Sequence, residues 1–373
     1  MRDTMGIIIA SNINIPPFTD VRSASALPMA GGFRIIDFIL SNMAKAGLRR
    51  IGVATEANYS SLMDHLRSGA PWDLHMKDDG LHILPPNIGN KNAAEIIRGD
   101  LDILNGIRQY IRKSREPYVI LSLGNCIYNI DFEKVLESHK ENSADVTVIY
   151  KNLAGVEEKE LSRYTLLDID QDNRITDIEV CPYYPKTANA GIDVFVMERA
   201  LLESVLDECS ARGNHDFIKD ALAQKMTGLR MFAYEHDGYV DKVDSMIAYY
   251  NNNMKFLEKE VQDEMLKNPD LPVYTKNHDL PPTKYGSDAK VLNSYIADGC
   301  KIEGTVINSV LSGNVVVKKG AVVKNSVLMQ ATVVGENSTL EYVVLDKDVN
   351  VTEGKQLIGQ DTYPVPVSKG TVI

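Results

Sequence analysis

Two strand ends in this chain carry the residues that could do chemistry on a phosphate. The first is the loop after Gly6-Ile7-Ile8-Ile9-Ala10, which reads Ser11-Asn12-Ile13-Asn14-Ile15-Pro16-Pro17 and leads on to an apolar helix starting near Gly32 or Phe33. Strand, loop and helix in that order usually set a phosphate-binding turn over the strand end. Such a turn takes glycines, so that backbone N–H groups can approach the oxygens, and a Lys or Arg to neutralise them. This loop has no glycine and no cation, and its two prolines lack an N–H. The second place is Gly124-Asn125-Cys126, after the apolar run Tyr118–Leu123. Asn125 suits a turn after a strand whatever the function. Cys126 would need a partnered base to act as a nucleophile, and none is visible, so it reads as a packed thiol. His215-Asp216-Phe217 fits a helix start with Asp216 as its cap, and Arg34 and Asp37 fit an i,i+3 ion pair. The frame of a nucleotide site is present without its working parts.

The elements that must position these residues alternate strand and helix over the first two-thirds. A helix through Ile36, Leu40 and Met43 ends at Gly47, the strand Ile51–Ala54 follows, and a helix surrounds Ser61–Arg67. A further helix fits Ala93–Ser114, where Ile96, Ile97, Leu101, Leu104 and Ile107 have helical spacing. The continuous apolar strand Tyr118–Leu123 is the kind found where both faces of a parallel sheet are covered. With a helix near Phe132–Asn142 and a strand Asp145–Tyr150, the pattern is a doubly wound α/β domain. Thr165–Asp170 and Arg174–Val180 flank a hairpin turn at Gln171-Asp172-Asn173, and Gly191–Met197 adds a strand. Ligands on such sheets sit outside the carboxyl ends of strands, just after Ala10 and Leu123.

The 373 residues exceed one compact core, so two domains are expected. A net charge of -11 excludes non-specific nucleic-acid or anionic-membrane binding, which want Lys and Arg stripes. With no apolar run near membrane length and no leader pattern, the expectation is a cytoplasmic protein. Cys126, Cys181, Cys209 and Cys300 are scattered, as reduced structural thiols would be.

The text changes past Ser245–Lys267, which reads as helical. Pro269, Pro272, Pro281 and Pro282 make a stiff linker, and from Val315 the residues Val315, Ala321, Val327, Val333, Thr339, Leu345 and Val351 fall six apart. That spacing is the hexapeptide repeat of a parallel β-helix. Ile296 and Ile302 are also six apart but out of register, so a break is expected near Asn308–Ser312. The division is 1–244 for the α/β domain, 245–286 for a helical and Pro-rich linker, and 287–373 for the β-helix. A short coil stack exposes ends that commonly meet another subunit, so oligomers are expected. The repeat also serves acyltransferases, but the seven histidines all precede Ser287 and leave the coils without a catalytic base.

Gly31-Gly32-Phe33-Arg34-Ile35-Ile36-Asp37-Phe38-Ile39-Leu40-Ser41-Asn42, then Gly47-Leu48-Arg49-Arg50-Ile51-Gly52-Val53, resembles the first block of bacterial ADP-glucose pyrophosphorylase, glucose-1-phosphate adenylyltransferase. His215-Asp216-Phe217 and the terminal repeats match in order, so the resemblance covers nearly the whole chain. It implies a nucleotidyltransferase (Rossmann-like) domain followed by a left-handed β-helix, a tetramer, and a role in glycogen biosynthesis. It also implies a substrate pocket at Ser11, Asn12, Gly124, Cys181, Asp216 and Phe217.

The departures from the family pattern bear on activity. The glycine-rich G-G-x-G-x-R-L loop is Ala10-Ser11-Asn12-Ile13-Asn14-Ile15, and R-A-K-P becomes Arg22-Ser23-Ala24-Ser25, with Ala24 in the lysine's place. G-D-H-I-Y becomes Gly124-Asn125-Cys126-Ile127-Tyr128, so the first metal-binding aspartate is Asn125. W-R-D-V-G-T becomes Val240-Asp241-Lys242-Val243-Asp244-Ser245, with Lys242 at the second aspartate, and E-K-P becomes Val180-Cys181-Pro182, with Cys181 at the sugar-phosphate lysine. Attack of a sugar phosphate on ATP joins two anions, and catalysis is mostly positioning and charge neutralisation by Mg²⁺ and cations. Like charges about 4 Å apart repel by roughly 4 kcal/mol per unit pair at an effective dielectric near 20, so Lys242 opposes a metal ion. The resemblance therefore implies a GlgD-type regulatory subunit, a pseudoenzyme without a cofactor of its own. Mg²⁺ would belong to its partner, the catalytic ADP-glucose pyrophosphorylase subunit, in a hetero-oligomer under allosteric regulation. The alternative is an active adenylyltransferase in which Asp241 or Asp244 turns inward as a substitute ligand.

Overall fold

The apolar run Thr4–Ile9 forms the central strand β1, buried along its whole length as a strand covered on both faces must be. The computed structural model describes residues 1, 3–10, 13–56, 58–77, 79–85 and 97–373. They form two compact units, Met1–Ser11 with Ile39–Tyr59 and Arg67–Val240, and Asn12–Phe38 with Ser60–Leu66 and Asp241–Ile373.

In the first unit β1 is joined by β2 (Arg50–Ala54), β3 (Gly80–Leu84) and β4 (Tyr118–Leu123), all parallel, in the order β4-β1-β2-β3. The sheet continues through β5 (Val146–Asn152), β6 (Thr165–Ile169), β7 (Ile175–Val180), β8 (Asn189–Glu198) and β9 (Met231–Glu235). Strand β8 runs antiparallel to β4, β5 and β6, so the doubly wound sheet is mixed rather than wholly parallel. The turn between β6 and β7 falls at Gln171-Asp172-Asn173 as the turn residues indicate, with Asn173 in the left-handed region. Met5, Ile7 and Ile9 of β1 share one core with Leu121 of β4, Phe195 of β8 and Leu101. The helix expected over Ala93–Ser114 is two helices, Asp100–Gly106 and Arg108–Lys113. Gly106, which has little helical preference, precedes the break, and residues 93–96 lie outside the described residues.

In the second unit the chain from Pro28 makes a tight hairpin, Pro28–Met29 against Phe33–Arg34. This pairing delays the helix expected from Gly32 or Phe33, which runs Ile35–Lys45. Gly31 at the turn has φ +73, and a Cβ there would stand 2.8 Å from the Tyr295 ring, so only glycine fits. Helices Met246–Lys255, capped by Ser245, and Lys259–Met265 account for the helical text before the prolines.

Beyond them three parallel five-stranded sheets form the three walls of a left-handed β-helix. Its core is Ile302, Val306, Leu311, Val317, Val323, Leu328, Val334, Leu340, Leu345 and Val351. The strict six-residue series does not hold, because a coil advances 17 residues and not three sixes. The short step turns on one left-handed residue, Asn308, Asn325 or Tyr342. Val333 and Thr339 therefore stand half-buried outside while Val334 and Leu340 fill the interior. Ser309 and Ser326 follow these corners, and each Oγ accepts the N–H one coil on. The break expected near Asn308–Ser312 is absent, since strand Val310–Leu311 continues the wall. The offset is absorbed earlier by one coil of 15 residues. It tightens at Gly304, where a Cβ would lie 2.4 Å from the Ala321 carbonyl oxygen. Among the described residues no helix is long and apolar enough to cross a membrane.

Candidate functional site

The ends of β1 and β4 in the first unit are tied together by the Gly124 N–H, which donates to the Ile9 carbonyl at 2.8 Å. This fixes the residue after Gly124. Asn125 is 1% exposed, and its Oδ1 meets no donor among the described residues. Cys126 behind it is fully buried, as a packed thiol would be. Other buried polar side chains of this unit pair with one another through neutral groups. The Asn42 amide donates to Asn129 Oδ1 at 2.8 Å and its own Oδ1 accepts from the Ile130 N–H at 2.7 Å. Trp72 Nε1 donates to Ser41 Oγ at 3.2 Å, and the Ser122 and Tyr128 hydroxyls share a bond of 2.9 Å. Burial pushes the Tyr128 phenol up, so it stays protonated. This network of amides and hydroxyls was not read from the sequence beyond Ser41-Asn42, because Trp72 and Asn129 join it only through the fold.

The other resembled positions of this unit are dispersed in role. Asp216 accepts the Lys219 N–H at 2.7 Å and caps the short helix Phe217–Ala223, the structural role expected of it. Phe217 packs edge-on against Phe195 with ring centres 5.2 Å apart, inside the main core. His215 Nδ1 bonds Asp102 at 2.9 Å, and Arg98 reaches its Nε2 at 3.0 Å. Cys181 is exposed, in a left-handed conformation with φ +45, and its N–H donates to the Tyr164 carbonyl. A thiol on the surface offers a sugar phosphate no charge. Ser11 and Asn12 lie outside the described residues.

Ala24 and Lys242 belong to the second unit. Ala24 is fully buried in the single turn Ala24–Ala26, and Arg22 beside it makes a buried ion pair with Asp346, Nη1 to Oδ1 at 2.7 Å, the side chains 2% and 0% exposed. Lys242 ends the strand Val240–Lys242. Its neighbour Asp241, offered by sequence as a substitute metal ligand, is nearly buried, with Oδ2 against the Lys255 ammonium and Oδ1 accepting the Lys242 N–H at 2.9 Å. Among the described residues no three His, Cys, Asp or Glu side chains converge as a metal site. In the first unit Asn125 offers a neutral oxygen, and in the second unit Asp241 is already engaged by the Lys255 ammonium.

The charge that the strand-end site lacks is found in the second unit. A cavity of about 690 Å³ is lined by Arg34, Lys276, His278 and Lys347 together with Asp279 and Asp298. Burial, with Arg34 and Arg22 nearby, brings the Lys347 ammonium down to about 8. Burial likewise lowers Arg34 to about 10 and depresses His278. Arg34 donates through Nη1 to the Ser61 carbonyl and hydroxyl at 2.7 and 3.0 Å. Asp37 is held below it, accepting the Arg34 N–H at 2.9 Å, the Thr275 hydroxyl at 2.6 Å, and a His65 bond of 2.6 Å. Sequence reading reached Arg34 and Asp37 only as a helical pair, since Lys276, His278 and Lys347 are more than two hundred positions away.

Comparison with known proteins adds the following. Residues 14–259 match the nucleotidyl transferase family, and residues 281–364 match the GlmU-like C-terminal hexapeptide family. The chain is 32% identical to the glycogen biosynthesis protein GlgD of Bacillus subtilis over 365 residues, 96% of this chain and 93% of that protein. It is 33% identical over 311 residues to a glucose-1-phosphate adenylyltransferase of Clostridium perfringens, 82% of this chain and 79% of the relative. The corresponding enzyme of Thermosipho africanus is 31% identical over 328 residues, 87% and 78%.

Proposed function

Because this chain belongs to the glucose-1-phosphate adenylyltransferase family of nucleotidyl transferases, we propose that it serves as a regulatory subunit with little or no turnover of its own. In this reading it assembles with a catalytic glucose-1-phosphate adenylyltransferase subunit and modulates the making of ADP-glucose for glycogen in the cytoplasm. Mg²⁺ acts only in the catalytic partner.

The observation that carries the reading is the buried neutral Asn125 at the position where the family pattern has a metal-binding aspartate. The reaction needs a phosphate oxygen of glucose 1-phosphate to approach the α-phosphorus of ATP while pyrophosphate leaves, so negative charge accumulates on every oxygen involved. Metal ions and cations neutralise that charge in enzymes of this type. Here the strand end supplies amides and hydroxyls in their stead.

Regulation asks less of the chain. It needs contacts that differ between two states of the partner, and such contacts shift an equilibrium in proportion to their difference. The cation-lined cavity of the second unit supports the reading, because it is a space where a small anion could bias those states. The test is reconstitution with the glucose-1-phosphate adenylyltransferase of the same organism. Adding this chain should change that enzyme's maximal rate or substrate affinity and co-elute with it; an enzyme unaffected at saturating amounts of the chain contradicts the proposal.

A further inference from the structure

One amine in the cation cluster of the second unit has no anion of its own. Lys347 lines the cavity, and among the described residues its Nζ makes no hydrogen bond or ion pair. The adjacent carboxylate is spent elsewhere, since Asp346 Oδ1 accepts from Arg22 Nη1 at 2.7 Å and from the Lys347 backbone N–H at 2.7 Å. The other cations of the wall are engaged. Lys276 Nζ donates to the Asp64 carbonyl at 3.0 Å, and Arg34 Nη1 to the Ser61 carbonyl at 2.7 Å. Lys369 lies 3.9 Å from Asp348. The charges of Arg34, Arg22 and Lys369 act against the Lys347 ammonium, and Lys347 acts in turn against His278, which sets its Nζ on the side where the cations gather.

We propose that Lys347 is a carbamylation site, at which the free amine takes up carbon dioxide. The Nζ lone pair attacks the carbon, a C–N bond forms, and one C=O π pair moves to oxygen. A proton passes from nitrogen to solvent, leaving the carbamate –NH–COO⁻, with no oxidant or reductant consumed. An open lysine fails at the first step because its amine is protonated. Here burial first, then the neighbouring cations, bring the ammonium down to about 8. At pH 8 about half of it is therefore free amine, against roughly one part in three hundred for an open lysine. The product is favoured by the same neighbours. Carbamylation replaces a positive charge by a negative one beside Arg34, Arg22 and Lys276, so contacts that repel the ammonium attract the carbamate. Asp279 and Asp298 of the lining act the other way, while Asp37 is held by His65, Thr275 and the Arg34 N–H. The inference requires neither catalysis nor a partner subunit, so its failure leaves the regulatory reading standing.

The test is to equilibrate the full chain at pH 8 with ¹³C-labelled bicarbonate, record its carbon NMR spectrum, then trap carbamates as ethyl esters with a trialkyloxonium salt and map them by peptide mass spectrometry. A carbamate resonance should appear and vanish on degassing. The ester should sit on Lys347 at least about tenfold above any other lysine side chain, in line with its share of free amine. The Met1 α-amine, which donates to the Ala46 carbonyl at 2.9 Å, is the internal reference, because an α-amine also titrates near this range. Lys347→Met, which removes a disfavoured charge, should stay folded and lose both the Lys347 ester and its resonance. An ester confined to the α-amine overturns the proposal, as does one spread over the lysines by exposure. A resonance unchanged in Lys347→Met overturns it too, whatever the trapping reagent reaches.

Discussion

The strand-end site of the first unit and the cavity of the second differ in one property, charge. Asn125 is a buried neutral amide whose Oδ1 meets no donor among the described residues, and the buried polar side chains of the same unit pair as Asn42 with Asn129, Trp72 with Ser41, and Ser122 with Tyr128, all neutral. Around the cavity stand Arg34, Lys276 and Lys347, and burial depresses two of the three below their usual range. Keeping cations in a place that disfavours them requires compensation, and Asp37 beside Arg34 and Asp346 beside Lys347 supply part of it. The comparison teaches that within one chain the strand end after β4 carries a neutral amide while the ionisable groups gather in the cavity of the other unit.

The largest expected effect comes from breaking the charge balance of the second unit. Asp346→Ala leaves the Arg22 guanidinium buried without its carboxylate and should destabilise the chain by about 3–5 kcal/mol in denaturant titration. Replacing both residues, Arg22→Met with Asp346→Leu, should recover most of that loss. A single variant as stable as the native chain would show that the pair is not buried in solution.

The second way to sharpen the comparison is to return carboxylates to the two positions where the family pattern has them, Asn125 and Lys242. Asn125→Asp with Lys242→Asp should confer a Mg²⁺-dependent rise in melting temperature that the native chain lacks. Adding Lys255→Met, which frees Asp241 of its ammonium, should enlarge that rise. No metal response in either variant would mean that these positions do not form the metal site.

Lys347 offers a pH test of the cavity. Its ammonium sits near 8 in the folded chain against 10.5 for an open lysine, so the unfolded chain binds more protons between those values and stability rises with pH there. Lys347→Met should therefore stabilise the chain by on the order of 2 kcal/mol at pH 7, with the gain fading between pH 8 and 10.5. A gain independent of pH would point to packing and not to charge.

The smallest effect belongs to a residue whose role is structural. Asp216→Ala removes the cap from helix Phe217–Ala223 and should lower stability by about 1 kcal/mol. A drop several times larger would give Asp216 a role beyond capping.

How much of this was legible in sequence varies with the range of the interaction. The elements of the α/β unit follow from local apolar runs, and β1, β4 and the β6–β7 hairpin lie within a residue or two of where the pattern puts them. The β-helix is legible from its spacing, but its register is not, because Asn308, Asn325 and Tyr342 each turn a corner in one residue and sixes drift against a 17-residue coil. That Asn125 stands where the family pattern has an aspartate was readable in sequence; that its Oδ1 is buried without a donor among the described residues was not. The bond between Arg22 and Asp346 was not, since 324 residues separate its partners. The capture of Asp241 by Lys255 was missed for another reason. The two are only 14 apart, but a strand and a helix turn intervene and no periodicity links them.

The central claim is that this chain keeps a nucleotidyl transferase frame without the means to neutralise the reaction. Its most direct test is pyrophosphate release by the purified chain alone with Mg²⁺, ATP and glucose 1-phosphate. The account predicts release indistinguishable from a protein-free control; sustained turnover that tracks the concentration of the chain would contradict it.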